Sequence, residues 1–380
     1  MKKLLATACA LLFLSGSLIL VGALPARAAD QVPVILAERP HMGLDGTFYD
    51  DELATLLLPS QRLGQLVFTP SRAKKIWYID AALLDQVAAM VGGYSVRVAG
   101  KSGELVPGTG MNVAASWLSA LKQVTRMNPV LALPYGAPAT HWLEQVSPNE
   151  LKFYEANSQL KVGFYVGKYV DVTPSFPGEK TPRIPGETQD TYNFIRKNLK
   201  GYLKVVDIQD TNPYRLGIAQ LTNPALNYDD SIRLSRAFLN DYQVFNKRLR
   251  IVVGKYTITS EREKIPMTIV NGFNKDVNVS VVVSPLNGKV TVSPIRDVTI
   301  PAQSKLIVPI KLHIIASGNS TLFVQLKSAD GTSVGNSVSL PLRLSVISPI
   351  ATWITTISAI VLLIAGVVQS VRRVKKKKHE

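Results

Sequence analysis

Residues 305–326 read KLIVPIKLHIIASGNSTLFVQL, two runs of alternating apolar and polar side chains around Ser317-Gly318-Asn319. Such alternation turns one face of a strand toward a core and the other toward solvent. Working outward, the same pattern predicts eight strands, at residues 252–259, 265–270, 277–283, 289–292, 298–300, 305–314, 320–326 and 337–344. Short strands separated by turn residues predict an Ig-like β-sandwich over residues 251–347.

Before residue 250 the apolar period is mixed, as in α/β proteins. The predicted order is strand 76–79, helix 81–90, strand 94–98, helix 112–125 with Asn112 as N-cap, strand 129–133 and helix 139–146. Alternating strands and helices predict a parallel sheet with right-handed crossovers. Three such units are compatible with an open sheet and with part of a barrel. A loop rich in Pro and Gly near 171–186 and helices at 188–203 and 228–244 complete the predicted α/β domain, residues 29–250.

The N-terminal residues have the pattern of a secretory signal. Lys2 and Lys3 precede an apolar stretch, and Ala26-Arg27-Ala28 offers a small-residue cleavage site. We expect cleavage after Ala28, so that residues 1–28 are a signal peptide. The alternative is an uncleaved N-terminal helix, since the apolar stretch approaches the ~20 residues that a membrane span needs.

The C-terminal residues predict a transmembrane helix over residues 348–371. No charged residue occurs from Leu344 to Val371. A basic tail, residues 372–380, follows with Arg372, Arg373, Lys375, Lys376, Lys377 and Lys378. Such a cluster stays in the cytoplasm and meets anionic lipid there. The expected localisation is therefore the cell membrane, in a single pass, with the N-terminal ectodomain outside.

Most of the basic charge belongs to the two ends. Of the 43 Lys and Arg residues, three lie in the predicted signal and six in the tail, which also holds Glu380, so the formal charge of +16 falls to +8 outside the membrane. This excess argues against nucleic acid as a partner and allows attraction to anionic envelope polymers. The single cysteine, Cys9, lies in the predicted signal. We therefore expect a mature chain without disulfides or thiolate chemistry.

The sequence has no complete catalytic or metal-binding motif. Its four histidines are scattered, and no HxH, HExxH, CxxC, phosphate-binding glycine loop or G-x-S-x-G occurs. We expect no metal and no cofactor.

Asp80 is the best-placed candidate site residue. It ends a predicted parallel strand, at the edge where α/β proteins bind ligands. It could cap the helix that begins at Ala81, contact a ligand, or serve as one of the two acids of a glycan hydrolase. A second acid is not evident; Glu144 and Asp171 are the weak candidates. Tyr135, after the strand at 129–133, and Trp77 are candidate ligand contacts, although aromatic residues at such positions are more often core.

Several short motifs resemble those of a family of uncharacterised, membrane-anchored actinobacterial envelope proteins. They are IWYIDAALLD at 76–85, AASWL at 114–118, ALPYG at 132–136, KYTIT at 255–259 and IPMTIVN at 265–271. Members of this family are typically longer, with a further N-terminal β domain, and are often encoded beside a lipid II flippase-like protein. The resemblance implies a cell-wall context and no established activity.

This chain departs from the family pattern at two places. It has Asp80-Ala81 where the family has Asp-Pro, and residues 136–139 read GAPA where the family has acids. A site that those acids form in relatives would be degraded here.

The function that we predict is a membrane-anchored extracytoplasmic protein of the cell envelope. The α/β domain would bind or scaffold a cell-wall polymer or an envelope protein without catalysis, and the sandwich would hold it above the lipid bilayer. The alternative is a glycan-processing hydrolase that uses Asp80 in a cleft of the α/β domain.

Overall fold

The computed structural model describes residues 31–98, 100–101, 103–179, 183–345 and 349–376. The predicted signal peptide, residues 1–28, and the end of the basic tail, residues 377–380, lie outside the described residues.

The first 250 residues mix helices with short strands. In chain order they form β1 (Val32–Leu36), α1 (Glu52–Leu56), α2 (Arg62–Phe68), β2 (Lys75–Asp80), α3 (Ala81–Val91), β3 (Ser95–Arg97), β4 (Leu105–Pro107), α4 (Met111–Thr125), β5 (Val130–Leu133), α5 (Thr140–Val146), α6 (Pro148–Val166), β6 (Asp171–Val172), α7 (Gly186–Tyr202), α8 (Ile208–Gly217), the 3-10 helix η1 (Ile218–Thr222) and α9 (Tyr228–Asn246).

Four of these strands form one sheet in the order β1-β2-β5-β6, and every pair in it is parallel. Asp80 lies opposite Leu133, so the carboxyl ends of β2 and β5 meet at the same edge. Among the described residues β1 and β6 have no further strand beside them, so the sheet is open. Trp77 and Ile79 of β2 are fully buried, as expected of a strand that helices cover.

The segment at residues 94–98 corrects the predicted order. Its strand, β3, does not join the parallel sheet; it pairs antiparallel with β4 in a separate ribbon. Only three residues pair, and Gly93 before them adopts a positive φ that turns the chain away. The strand that pairs with β2 on this side is β1, a strand that was not predicted from the sequence.

Helix boundaries also differ from prediction. Asn112 was predicted as the N-cap of α4, but the helix begins one residue earlier and Gly110 is its cap. The predicted helix at 139–146 corresponds to α5, which ends at Val146, and Ser147 separates it from the next helix. Pro148 begins the 19-residue helix α6, because the first turn of a helix needs no amide hydrogen at that position. Within the loop predicted near 171–186, β6 pairs with β5.

The part after residue 248 is built from mostly antiparallel strands and one long helix. Its elements are β7 (Leu249–Val252), β8 (Tyr256–Ile258), β9 (Arg262–Asn271), β10 (Val277–Pro285), β11 (Val290–Val292), β12 (Ile295–Ile300), β13 (Ser304–Ile314), β14 (Gly318–Lys327), β15 (Ser333–Leu344) and α10 (Pro349–Lys376).

These strands form two sheets, β12-β10-β14-β15-β8 and β11-β13-β9-β7. The prediction of a single strand at residues 252–259 is wrong. There are two strands, β7 beside β9 and β8 beside β15, and the chain crosses from one sheet to the other between them. The buried residues are Leu249 and Ile251 in β7 but Ile258 in β8, so the alternation shifts by one residue where the chain crosses. The apolar faces of both sheets are buried in one core.

The helical part and the sandwich pack directly on each other. Phe245 of α9 lies with its ring centroid 5.0 Å from that of Tyr202 and 5.4 Å from that of Phe273 in the sandwich. Beside them, a Cβ on Gly201 would lie 2.0 Å from the carbonyl oxygen of Ser333, so α7 approaches β15 where only glycine fits. The two parts therefore share buried surface.

Helix α10 is the predicted apolar C-terminal helix. Its window Trp353–Ser370 has a mean hydropathy of 1.9, which is long and apolar enough to cross a membrane. At 1.5 Å per residue an 18-residue window covers about 27 Å, close to the thickness of a hydrocarbon core. The helix continues beyond the predicted span, through Arg372 and Arg373 to Lys376.

Candidate functional site

Asp80 is the N-cap of α3. Its Oδ1 accepts hydrogen bonds from the amides of Ala82 (2.9 Å) and of Gly136 (2.7 Å), and the residue is 1% exposed. Burial disfavours the charged carboxylate and raises the pKa of Asp80 to about 7. The hydrogen bonds from the backbone amides lower this pKa, and the nearby charge of Asp85 raises it by a smaller amount. Asp80 thus joins the start of α3 to the loop after β5.

Tyr135 directly precedes Gly136, whose amide bonds to Asp80, but the Tyr135 hydroxyl bonds to a different carboxylate. It donates to Asp85 Oδ2 at 2.9 Å. Tyr165 donates to the same carboxylate at 3.0 Å, and Lys161 Nζ lies 2.9 Å from it. Burial, followed by the Asp85 charge, raises the pKa of Tyr135 well above its usual value. The sequence analysis missed this cluster because Lys161 and Tyr165 lie more than 70 residues from Asp85.

The loop after β5 closes the edge of the sheet at which Asp80 lies. Gly136 has φ +82°, and a Cβ there would lie 2.8 Å from the backbone nitrogen of Gln220 in η1. The amide of Ala139 donates to Thr222 O at 2.9 Å, and Asn223 Nδ2 donates to Gly136 O at 3.2 Å. η1 therefore occupies the position that a ligand would need to reach Asp80.

The other predicted site residues lie apart from Asp80. Trp77 is fully buried in β2, three residues before Asp80, and Lys75 Nζ lies 5.4 Å from its ring centroid. Glu144, on α5, has a side chain that is 59% exposed, and His141 is 3.8 Å away. Asp171 is exposed at the start of β6, opposite Leu131. The structure brings Asp80 and Tyr135 together but not Trp77.

One of the scattered histidines lies beside two acids. His41, Asp50 and Glu52 each place a ligand atom within 4.8 Å of the others. The guanidinium of Arg39 pairs with both carboxylates and so already supplies a cation. Burial opposes ionisation of Asp50, but the hydrogen bond from His41 and the charges of His41 and Arg39 outweigh it and lower its pKa to about 2. This arrangement fits a partly exposed ion-pair network better than a metal centre.

The α6–α7 cavity is the most strongly charged of four cavities among the described residues. It has a volume of about 570 Å³ and lies between the start of α6, the C-terminal half of α7 and Arg215 of α8. Five cations and one carboxylate line it: Arg196, Lys197, Lys200, Lys204, Arg215 and Glu150. No local pattern in the sequence predicts this set, because its members come from α6, from α7 and the residues just after it, and from α8.

Two of the five cations have ion-pair partners, Arg215 with Glu150 and Lys204 with Asp330 at 3.9 Å, and the other three have none among the described residues. Glu150 is taken up by Arg215, whose guanidinium makes two bonds to it, at 2.8 and 3.1 Å. Lys197 and Lys200 are exposed and make no ion pair with any described residue. Arg196 donates to Asn193, but its buried Nε has no acceptor in the described part of the chain. The cavity therefore presents unpaired donors and positive charge.

The wall of the cavity is held by buried hydroxyl groups. Ser147, the residue before α6, lies with its Oγ 3.0 Å from the hydroxyl of Tyr192 on α7, and Tyr154 lies 3.2 Å from the same hydroxyl. Since Ser147 Oγ is used in this way, it does not cap α6. The amide of Asn149, in the first turn, has no carbonyl of its own helix to bond. The positive end of the α6 dipole thus faces the same space as the lysines.

The comparisons with known proteins concern mainly the sandwich. Residues 247–378 match a family of unknown function (DUF6049). No curated protein matches the chain in sequence.

Two solved structures illustrate the structural similarity. WR4, an MSP family member of C. elegans, is 12% identical over 26% of this chain and 97% of its own, with a TM-score of 0.21. PapD-like domain 7 of human CEP192 is 14% identical over 27% of this chain and 86% of its own, also with a TM-score of 0.21.

The family match covers the sandwich and α10 and does not reach Asp80 or the α6–α7 cavity. Nothing in it concerns actinobacteria or a flippase-like neighbour. The geometry of the site must therefore carry any functional argument.

Proposed function

We propose that this chain is a single-pass envelope protein whose exterior part binds an anionic polymer of the cell envelope in the α6–α7 cavity. The observation that carries the proposal is the unneutralised charge of the cavity, in which the single carboxylate, Glu150, is already paired with Arg215. Phosphate or carboxylate groups would accept hydrogen bonds from Arg196 and pair with Lys197 and Lys200.

The proposal places an α/β domain on an Ig-like sandwich outside the membrane, with α10 as the anchor and the basic tail inside. Its support is the length and apolar character of α10 and the cluster that follows it. The motif resemblance to actinobacterial envelope proteins adds a cell-wall context. No catalysis is needed for this role.

The hydrolase alternative has less support. Asp80 is buried and accepts hydrogen bonds from two backbone amides. None of the four cavities described for the chain is lined by Asp80, Tyr135 or Glu144. A general acid must reach the glycosidic oxygen, and here η1 lies in the way.

The role of the cavity is tested by reversing the charge of its two unpaired lysines. For the variant Lys197→Glu/Lys200→Glu we expect about tenfold weaker binding of polyphosphate and of poly-glutamate, since each exposed ion pair contributes roughly 0.2–1 kcal/mol and reversal adds repulsion. The measurement is isothermal titration of the purified chain at low and high salt.

The matched control is Lys255→Glu/Lys305→Glu, which makes the same charge change at exposed positions outside the cavity. Equal loss of affinity in both variants would show that net charge alone attracts the polymer. That result would remove the cavity from the proposal.

The topology is tested with single cysteines, because Cys9 lies in the predicted signal and a mature chain would have no other thiol. We expect Thr299→Cys to react with a membrane-impermeant maleimide in intact cells, and Lys378→Cys to react only after permeabilisation. The parent chain should stay unlabelled if the signal is removed. Labelling of Lys378→Cys in intact cells would reverse the proposed orientation.

A further inference from the structure

Two neighbouring strands of the sandwich place like charges opposite each other. In the register of β9 with β13, Lys264 faces Lys311 and Arg262 faces His313, and all four side chains are exposed. Like charges directly opposite destabilise a sheet. Neither Lys264 nor Lys311 makes an ion pair with a described residue, so the fold does not itself offset the repulsion between these two lysines.

These side chains line a groove. A concavity of about 470 Å³ lies over this face, bordered by Arg262, Lys264, Lys311, His313 and Thr291 of β11. Its one carboxylate, Glu263, stands in register with Leu312 and is half-buried. We call Arg262, Lys264, Lys311 and His313 the β9–β13 patch. An anion that entered the groove would relieve the repulsion that the strand register imposes.

The patch lies at the end of the sandwich from which the chain leaves for α10. β9 starts at this end, and β15 finishes here, with Ser345 N donating to Ile258 O at 2.8 Å. Only residues 346–348 separate Ser345 from Pro349, the first residue of α10. Four Cα steps cover at most about 15 Å, whatever path they take. The end of the sandwich that carries the patch therefore lies within a short distance of the start of the apolar helix.

We propose that the β9–β13 patch binds the phosphate head groups of anionic lipids in the leaflet that α10 enters, so that this end of the sandwich lies against the bilayer. The inference rests on the membrane anchoring proposed above and adds a second contact with the membrane, on the outer side. Each Lys or Arg close to an anionic surface strengthens binding about fivefold, and salt screens the effect.

The test uses the full chain reconstituted into vesicles, with a fluorophore on Thr291→Cys beside the patch or on Thr299→Cys at the other end of the sandwich. A quencher is attached to the lipid head groups. Vesicles contain phosphatidylcholine alone or phosphatidylcholine with phosphatidylglycerol. We expect the anionic lipid to increase quenching at position 291 but not at position 299, and high salt to reverse the increase.

Two variants separate the patch from general charge. Lys264→Gln/Lys311→Gln should lose the increase, because removing two cations weakens the contact roughly 25-fold, and it should fold at least as well since the repulsion is gone. Lys305→Gln, on the same exposed face of β13, should keep the increase. Quenching that is equal in neutral and anionic vesicles, or retained in the double variant, would overturn the proposal.

Other anions are distinguished in the same experiment. If inorganic phosphate or soluble polyphosphate abolished the quenching at an ionic strength where sodium chloride does not, the patch would be a site for a free anion or polymer and the lipid assignment would fall. A failure of α10 to insert has a separate signature, because the chain would then not float with neutral vesicles at all.

Discussion

Replacing Phe245 with alanine is expected to lower the free energy of unfolding by about 3–5 kcal/mol. Phe245 is 1% exposed and its ring contacts those of Tyr202, Tyr214 and Phe273. The cavity left by its removal would lie between the helical part and the sandwich, so both parts should lose stability together. Urea unfolding in detergent, followed by tryptophan fluorescence and by hydrogen exchange, measures this.

The two probes report on different parts of the molecule. Three of the four tryptophans, Trp77, Trp117 and Trp142, lie before residue 250, and the fourth, Trp353, lies in α10 outside both parts, whereas exchange of strand amides follows the sandwich. The control is Phe323→Ala, whose side chain on β14 is 43% exposed; we expect a change within about 0.5 kcal/mol. If Phe245→Ala lowered the stability of the helical part alone, the two parts would not be sharing a core.

Asp80 is expected to make the protein less stable as pH rises from about 4 to about 8. The folded protein holds the Asp80 proton up to a pKa of about 7, whereas the unfolded chain releases it near 3.8. The stabilisation is therefore fully present below the unfolded pKa and lost as pH rises through the folded one. A shift of about three units corresponds to about 4 kcal/mol.

The variant Asp80→Asn isolates this effect, because the amide oxygen still accepts the hydrogen bonds of Ala82 and Gly136 but does not titrate. We expect the stability of the parent chain relative to the variant to fall by about 4 kcal/mol between pH 4 and pH 8. Asp229→Asn, which removes an exposed carboxyl group, is the matched control. A difference that grows with pH would mean that the two amides keep Asp80 ionised.

Much of the sandwich could be predicted because its signal is local. Alternating side chains and turn residues in 305–326 correspond to β13 and β14, and the apolar C-terminal stretch corresponds to α10. The missed elements have weaker local signals. β1 is a short strand of five residues, and α6 begins at a proline, a residue that usually indicates the end of a helix.

The site could be predicted only where chemistry follows from one segment. The capping role of Asp80 could be predicted because the residue ends a strand and precedes a helix. Its partner Gly136 is 56 residues away and its neighbouring acid, Asp85, is held by Lys161 from another helix. The α6–α7 cavity is harder still, since each of its lysines looks like an ordinary solvated residue until the helices are packed together.

The contact of α7 with Ser333 also has a mechanical meaning. Ser333 begins β15, and the same strand ends at Leu344, just before the segment that leads to α10. Tension applied to a polymer held by α7 would thus run along a single strand of 12 residues to the membrane helix. That strand pairs with β14 along most of its length and with β8 over its last three residues, so the pull would load many hydrogen bonds in shear at once. Under the proposed function, the sandwich would be a force-bearing link with the envelope polymer and the bilayer as its two points of attachment.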